Sequence, residues 1–324
     1  MAVVTTKTIR VLDNETINKA GTKGFSLPVG SIINKALLRL EMAFTVGTGT
    51  GALTDALYRL VEKILITTSA DGVAVNAAGR FLYRRAQIQG GGAPPHADAF
   101  SAANGTYVWL LPIHFADNLL SIPTKSSLDL RRSKEASIEI SMGDVSRLLS
   151  TVGTSVIDSL KLSLDLEAID GPIDPIMEPE FLPYLVTKPP VDPNTVQRID
   201  LEEAADLAIK RIFLFASDNN SAHYQGAADS AVLKDVTIEH SSGFAGLNKQ
   251  RDDMIQRKNV SDYAIDGGSI LTGHYIHDYV LSGDLDDAFI TAGLSDLRVS
   301  WNNDTPASKH VHHGIDGVRI LKGA

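Results

Sequence analysis

The sequence predicts an all-β protein built as two tandem sandwiches of about eight strands each, with short helices in the connections. Three observations lead there: one long stretch is written twice, apolar and polar residues alternate with period two in most segments, and a proline-rich segment separates the copies. The doubled stretch is Arg59–Gln87, RLVEKILITTSADGVAVNAAGRFLYRRAQ, and its second copy starts at Ala231, AVLKDVTIEHSSGFAGLNKQRDDMIQRKN. Set about 172 residues apart, Ile64 falls on Val236, Ile66 on Ile238, Asn76 on Asn248, Leu82 on Met254, Tyr83 on Ile255 and Arg85 on Arg257. Each copy reads as a strand, a small-residue turn, an Asn expected to cap a short helix, and an apolar pair on a basic segment. A repeat of this period indicates two related domains rather than a solenoid.

Composition sets the outer bounds. A chain of 324 residues accommodates two domains with sizeable cores. The 44% hydrophobic and 21% charged content is that of an ordinary globular protein. Net charge is −9, with 30 Lys and Arg against 39 Asp and Glu, which argues against a surface that coats nucleic acid. There is no cysteine, so disulfides and thiolate metal sites are excluded. The N-terminal MAVVTTKTIRVLDNET lacks the apolar run of a secretory signal, and no segment has the roughly 18 apolar residues of a membrane span.

In chain order, residues 1–30 are mixed and polar and read as an N-terminal arm with one strand at Lys7–Leu12. Ile32–Val46 alternates through Leu38, Leu40, Met42 and Phe44, as a half-buried strand does. Gly47–Gly51 follows as a flexible turn; with no Lys-Ser/Thr behind it, it lacks the makings of a phosphate loop. Leu60–Thr67 is a strand, Asp71-Gly72 a turn, and Asn76 opens a helix. Gln89–Thr106, rich in Gly, Ala and Pro, is a long loop suited to a partner contact. Tyr107–Phe115 is almost continuously apolar, so burial on both faces is expected, with Pro112 marking an edge or bulge. Ser126–Leu130, Ala136–Met142 and Val156–Leu166 are further strands, and Gly143-Asp144 opens a short helix at Val145–Leu149. The first domain is expected over 31–170.

Residues 171–197 hold prolines 172, 175, 179, 183, 189, 190 and 193 and read as a stiff linker. The second domain, 198–324, replays the first. Ala208–Ala216 matches the Leu37–Val46 strand, and Ile270–Val280 matches Tyr107–Phe115 with His277 on His114. Leu297–Trp301 matches Ile138–Met142, and Ile315–Val318 matches Ile157–Leu160.

Candidate chemistry is sparse. His310, His312 and His313 form the densest imidazole group. On a strand His310 and His312 share a face and can bind a metal; the plainer reading is a polar surface loop. His274 and His277 fall on opposite faces of a strand, as structural or surface groups. Glu202-Glu203, Asp252-Asp253 and Asp284/Asp286/Asp287 read as solvated turns, the last without the spacing or closing Glu of a Ca²⁺ loop. Arg84-Arg85 and Arg131-Arg132 with Lys134 are short basic runs that either face solvent or meet acidic neighbours on another subunit. No Ser-His-Asp arrangement, H-E-x-x-H, CxxC or P-loop is present, so no catalytic residue, cofactor or metal is assigned.

The repeated IxIxxxxxGxxVNxxGxxLYRR at Ile64–Arg85, WLLPIHFAD at Trp109–Asp117 and SIEISMGDVSRLL at Ser137–Leu149 resemble the double jelly-roll major capsid proteins, above all those of icosahedral bacteriophages with an internal membrane and their relatives. The resemblance covers residues 31–324. It implies eight-stranded jelly rolls in tandem, a non-enzymatic structural role and homotrimers whose six sandwiches form pseudo-hexagonal capsomers tiling an icosahedral shell. It also implies contacts with minor capsid or vertex proteins, an N-terminal arm facing an inner viral membrane, and assembly of virions in the host cytoplasm without sequence-specific nucleic-acid binding. Gln89–Thr106 and Asp218–Ser230 are the candidate tower or rim loops. The competing readings are a two-jelly-roll glycan-releasing amidase, which needs acidic residues and a Trp at a domain junction, and a carbohydrate-binding or spike module, which needs exposed loop aromatics. Trp109 and Trp301 both stand in strand-like contexts that read as core.

Overall fold

The computed structural model describes residues 5–53, 55–91, 96–170, 172–189, 191, 196–202, 205–218, 233–241, 243–263, 274–303 and 309–320. The chain forms two compact units that part between Tyr184 and Leu185.

The first unit contains β1 (Thr5–Thr16), β2 (Thr22–Ser26), β3 (Ile32–Thr45), β4 (Thr50–Ala52), α1 (Ala56–Arg59), β5 (Val61–Thr68), β6 (Gly72–Ala77), α2 (Gly79–Gln89), β7 (Gly105–His114), β8 (Leu128–Asp129), β9 (Ala136–Met142), β10 (Leu149–Thr151) and β11 (Val156–Asp170). One sheet runs β1-β11-β3-β7, and the other carries β6-β5-β9-β2. These pairings are antiparallel, and the order is that of an eight-stranded jelly roll. β8 adds to β3, and β4 pairs with β10 as a separate two-stranded flap.

The period-two pattern becomes a core through register. Leu40 stands opposite both Leu162 on β11 and Trp109 on β7; Leu38 meets Leu164 and Leu111, and Met42 meets Leu160 and Tyr107. Leu38, Leu40 and Met42 are fully buried, while the intervening Leu37, Arg39 and Glu41 are only partly covered. The second sheet supplies Ile64 opposite Ile140 and Ile66 opposite Ile138, all buried. A one-residue slip would turn every one of these side chains to the other face.

The second unit contains β12 (Phe181–Thr187), which crosses the boundary, then β13 (Arg198–Asp200), β14 (Leu207–Asp218), β15 (Leu233–His240), β16 (Gly243–Phe244), α3 (Asp252–Tyr263), β17 (His274–Asp278), β18 (Phe289–Ile290), β19 (Arg298–Asn303) and β20 (Lys309–Ile320). Its pairings repeat those of the first. β14 is flanked by β20 and β17 and extended by β18, as β3 is by β11, β7 and β8. β15 is flanked by β19 and β16, and β19 by β13, as β5, β9, β6 and β2 are arranged. The chain beyond β12 runs along β20, with Lys188 N–H donating to His313 O and Val191 exchanging bonds with Val311. α2 and α3 occupy the same place in the order, before β7 and β17.

Several placements differ from expectation. Residues 5–26, read as an arm, carry β1 and β2, and the proline-rich 171–197 carries β12. Prolines 172, 175 and 179 precede that strand, so it forms in spite of its proline-rich setting. Asn76 caps no helix: it sits in β6 opposite Leu65, and α2 starts at Gly79 behind Ala78 without a side-chain cap. Gly79 is required there, because a Cβ would fall 2.6 Å from Val61 Cβ and 2.7 Å from Tyr58 O. Asn248 likewise lies ahead of α3. β7 alternates between buried and half-buried instead of burying both faces, although it is the sheet edge that Pro112 implied. Strands buried on both faces are found in the second unit: β14 from Leu207 to Ala216 and β20 from Val311 to Val318. Ser126–Leu130 carries only the two-residue β8, set between two 3₁₀ turns. The Asp218–Ser230 loop lies outside the described residues beyond Asp218.

Because β1 pairs with β11 along Thr5–Thr16, deleting residues 1–16 should leave β11 with an open edge. The truncated chain is expected to aggregate or to melt several degrees lower by circular dichroism; unchanged melting would show that the segment contributes nothing to the sandwich.

Candidate functional site

The groups singled out in the sequence do not converge. β20 places His312 and His313 in the sheet, fully buried, instead of in a polar surface loop. The reason is that KHVHH continues directly into the apolar β20 pattern, where a neutral imidazole packs as a flat ring. The His310 side chain and Asp304 lie outside the described residues. His274 is buried on β17, and His277 is on the opposite face of the same strand. Asp284 accepts the Asp286 N–H at 3.0 Å, and Asp287 accepts the Ser282 hydroxyl at 2.5 Å, which closes an exposed turn. Glu202 pairs with Lys188, and Asp253 with Arg251 at 3.1 Å. Among the described residues no group of three or more His, Asp or Glu is placed to hold a metal ion. Trp109 and Trp301 are both buried in strands.

Two buried charge networks went unrecognised in the sequence. In the first unit, α2 is buried along its whole length in spite of Arg80, Arg84 and Arg85. Asp55, in the left-handed region at φ 56°, sets one carboxylate oxygen 3.1 Å from Arg80 Nε and 2.7 Å from Arg84 Nη2. Tyr58 and Tyr83 stack at 3.9 Å, and the Arg84 guanidinium lies 5.0 Å from the Tyr83 ring centre. Burial pushes both phenols above their ordinary range. Arg85 donates to His114 O at 2.6 Å and so ties α2 to β7. Burial, with Arg85 and Lys35 adding to it, holds the His114 imidazole down at about 4. The Arg84-Arg85 run is therefore internal, neither solvated nor free for a partner subunit. Arg131 is the exposed case: it bridges Asp129 at 2.7 Å and Glu178 at 2.6 Å. Arg132 reaches Asp71 at 3.8 Å.

In the second unit Lys210 and Arg211 interrupt an apolar strand and point to Asp316. The distances are 3.0 Å from Lys210 Nζ and 3.0 Å from Arg211 Nη1. Arg211 Nε also meets Asp278 at 2.7 Å, and the Tyr263 hydroxyl donates to the same Asp278 oxygen at 2.7 Å. Asn259 of α3 brackets Ile276, accepting its N–H at 3.0 Å and donating to its carbonyl at 2.8 Å. Two cations and two carboxylates balance, and the network fastens α3 to β17 and β14 to β20. Burial, with Asp278 next, lifts the Tyr263 phenol far above its usual range, so it stays a donor.

Two broad, open concavities are found among the described residues. One, of about 770 Å³, lies on the β13–β19–β15 face and includes Arg198, Asp200, Thr237, Glu239, Ser300 and Asn302. Within it Arg298 donates to Glu239 at 2.9 Å and Asn302 to Asp235 at 2.9 Å. The other, of about 540 Å³, lies on the corresponding face of the first unit and includes Ser26, Thr67, Ser69, Lys134 and Ser137. Neither carries a nucleophile beside a base, and both read as solvated sheet faces suited to contact.

No protein-family model matches the sequence, and no curated protein matches it significantly. The fold does have counterparts. The chain is similar to the major capsid protein P2 from bacteriophage PM2, with a TM-score of 0.62 at 10% identity over 98% of both chains. It is similar to a chain of the Sulfolobus Turreted Icosahedral Virus structure, with a TM-score of 0.70 at 11% identity over 97% of this chain and 91% of that one. It is also similar to the Faustovirus major capsid protein, with a TM-score of 0.60 at 8% identity over 99% and 91%. At such identities the likeness is one of fold, and it spans nearly the whole of each chain: the chain has the double jelly-roll fold. PM2 is a bacteriophage, as the resemblance led one to expect, and the fold extends to other viruses as well.

Removing one member of the Asp316 network leaves buried cations uncompensated. Asp316→Ala is expected to cost about 3–5 kcal/mol in chemical denaturation. A loss below about 1 kcal/mol would mean that the network adds no net stability.

Proposed function

We propose that the chain is a viral major capsid protein. One observation carries this reading: two jelly rolls with the same strand pairings in one chain, matched from end to end by known capsid proteins across 98% of both chains in the PM2 case. In this proposal the first jelly roll comprises β1 to β11 and the second β12 to β20. Three chains associate into a capsomer of six sandwiches, a pseudo-hexagonal tile that paves an icosahedral shell.

Sandwich physics supports the role. Each sheet ends in edge strands, such as β2, β7, β13 and β17, and edges are safest when a neighbour covers them. Obligate interfaces of this kind bury roughly 2,000–5,000 Å². The acidic balance suits a shell that does not coat the genome. Neighbouring capsomers, minor or vertex proteins and an inner membrane are the partners, and the virion, assembled in the host cytoplasm, is the location. The work is done by shape and contact, with no reaction catalysed. The buried state of Trp109 and Trp301 weighs against a glycan-releasing enzyme or an aromatic sugar platform.

Size-exclusion chromatography with light scattering tests this directly. A protomer of 34.8 kDa is expected as a stable trimer of about 105 kDa or as larger assemblies. A monomer that releases glycans from glycopeptides would overturn the proposal.

A further inference from the structure

Seven of the nine histidines belong to the second half of the chain, and five of them lie on the two strands flanking β14; the side chains of four, His274, His277, His312 and His313, are described. His274 and His312 are paired with Phe215 from either side, on β17 and β20. Their rings lie 5.0 Å and 6.3 Å from the Phe215 ring. His313 stands opposite Leu214, and His277 opposite Ile212. His274, His312 and His313 are 2%, 0% and 3% exposed. His277 is wedged edge-on to Tyr279 at 4.5 Å and against Gly246, where a Cβ would fall 2.3 Å from its Nε2. A neutral imidazole fits such places as an aromatic ring; an imidazolium there must be desolvated.

The charged groups around the band discourage further positive charge. The 185–191 segment brings Lys188 towards His313, and α3 brings Lys258 towards His277. β14 brings Lys210 and Arg211, which already engage Asp316 of β20 and Asp278 of β17. Tyr263 of α3 is bound to Asp278 as well, and Asp278 alone pulls His277 towards the charged form. Burial, with Lys188 adding to it, lowers His313 to about 3, and burial with Lys258 lowers His277 to about 4.

We infer that this histidine band is a proton-operated latch: neutral, the four imidazoles let the β17–β14–β20 sheet close, and protonated, they force it open before the first unit yields. In an opened sheet a histidine takes up its proton near the ordinary 6.5; in the closed sheet His277 does so only at about 4 and His313 at about 3. Stability from the band is therefore complete above about pH 6.5 and is lost as the pH falls from there towards the lowered values. The first unit provides an internal comparison, since its corresponding sheet carries His114 alone. The inference rests on the second unit by itself and holds whether or not the protein builds a shell.

The test is hydrogen exchange by mass spectrometry on the full chain in its native oligomer, stepped from pH 7.5 to 4.5 and corrected for the intrinsic pH dependence of exchange. Peptides over 209–216 are expected to lose protection at least about tenfold between pH 6.5 and 4.5, while those over 36–44 keep theirs. A variant with His274→Phe, His312→Phe and His313→Leu is expected to stay protected down to pH 4.5. Simultaneous loss in both regions, or no loss over 209–216 by pH 4.5, would overturn the latch. If the triple variant does not fold, the comparison of the two regions in the unmodified protein still decides.

Discussion

Each sandwich depends on one central strand held on both sides. β3 carries β11 along one edge and β7 along the other, and β14 carries β20 and β17 in the same way. A strand in that position has no free edge, so all its side chains are set by two registers at once. Leu38, Leu40 and Met42 then project as a single buried row, and the β5–β9 pair closes over the core. The remaining strands, the helices α1, α2 and α3 and the turns are arranged around what this strand fixes.

Both units keep the pairings and treat the central strand differently. β3 leaves one face partly exposed, with Arg39 and Glu41 paired at 2.9 Å. β14 buries both faces and so has to accommodate Lys210 and Arg211 inside the protein. Those charges are tolerated only because Asp316 and Asp278 meet them on the flanking strands. Two copies with one topology and distinct surfaces suit a chain whose halves fill similar positions among different neighbours.

The sequence was most legible where a local period decides structure. Leu160, Leu162, Leu164 and Leu166 announced β11, and the Ile64/Ile66 pair announced β5, because alternation is a direct image of the pleat. The order of elements in the two copies was readable for the same reason. What escaped depends on tertiary packing. Arg84 and Arg85 look like a solvated basic run until Asp55 and a fully buried α2 are known. His312 and His313 look like surface groups until β20 takes them into the sheet. Asn76 has the residue type of a cap, but the hairpin with β5 claims it for a strand. For the candidate site, the two ionic networks were not legible, since their members lie far apart in the chain.

The account reduces to one module used twice per chain as a building unit. Electron cryomicroscopy of the purified, assembled protein tests that most directly. The account predicts threefold particles with six similar sandwiches around the axis, each chain contributing two that superimpose strand for strand. Particles without threefold symmetry, or chain halves whose strands do not superimpose, would contradict it.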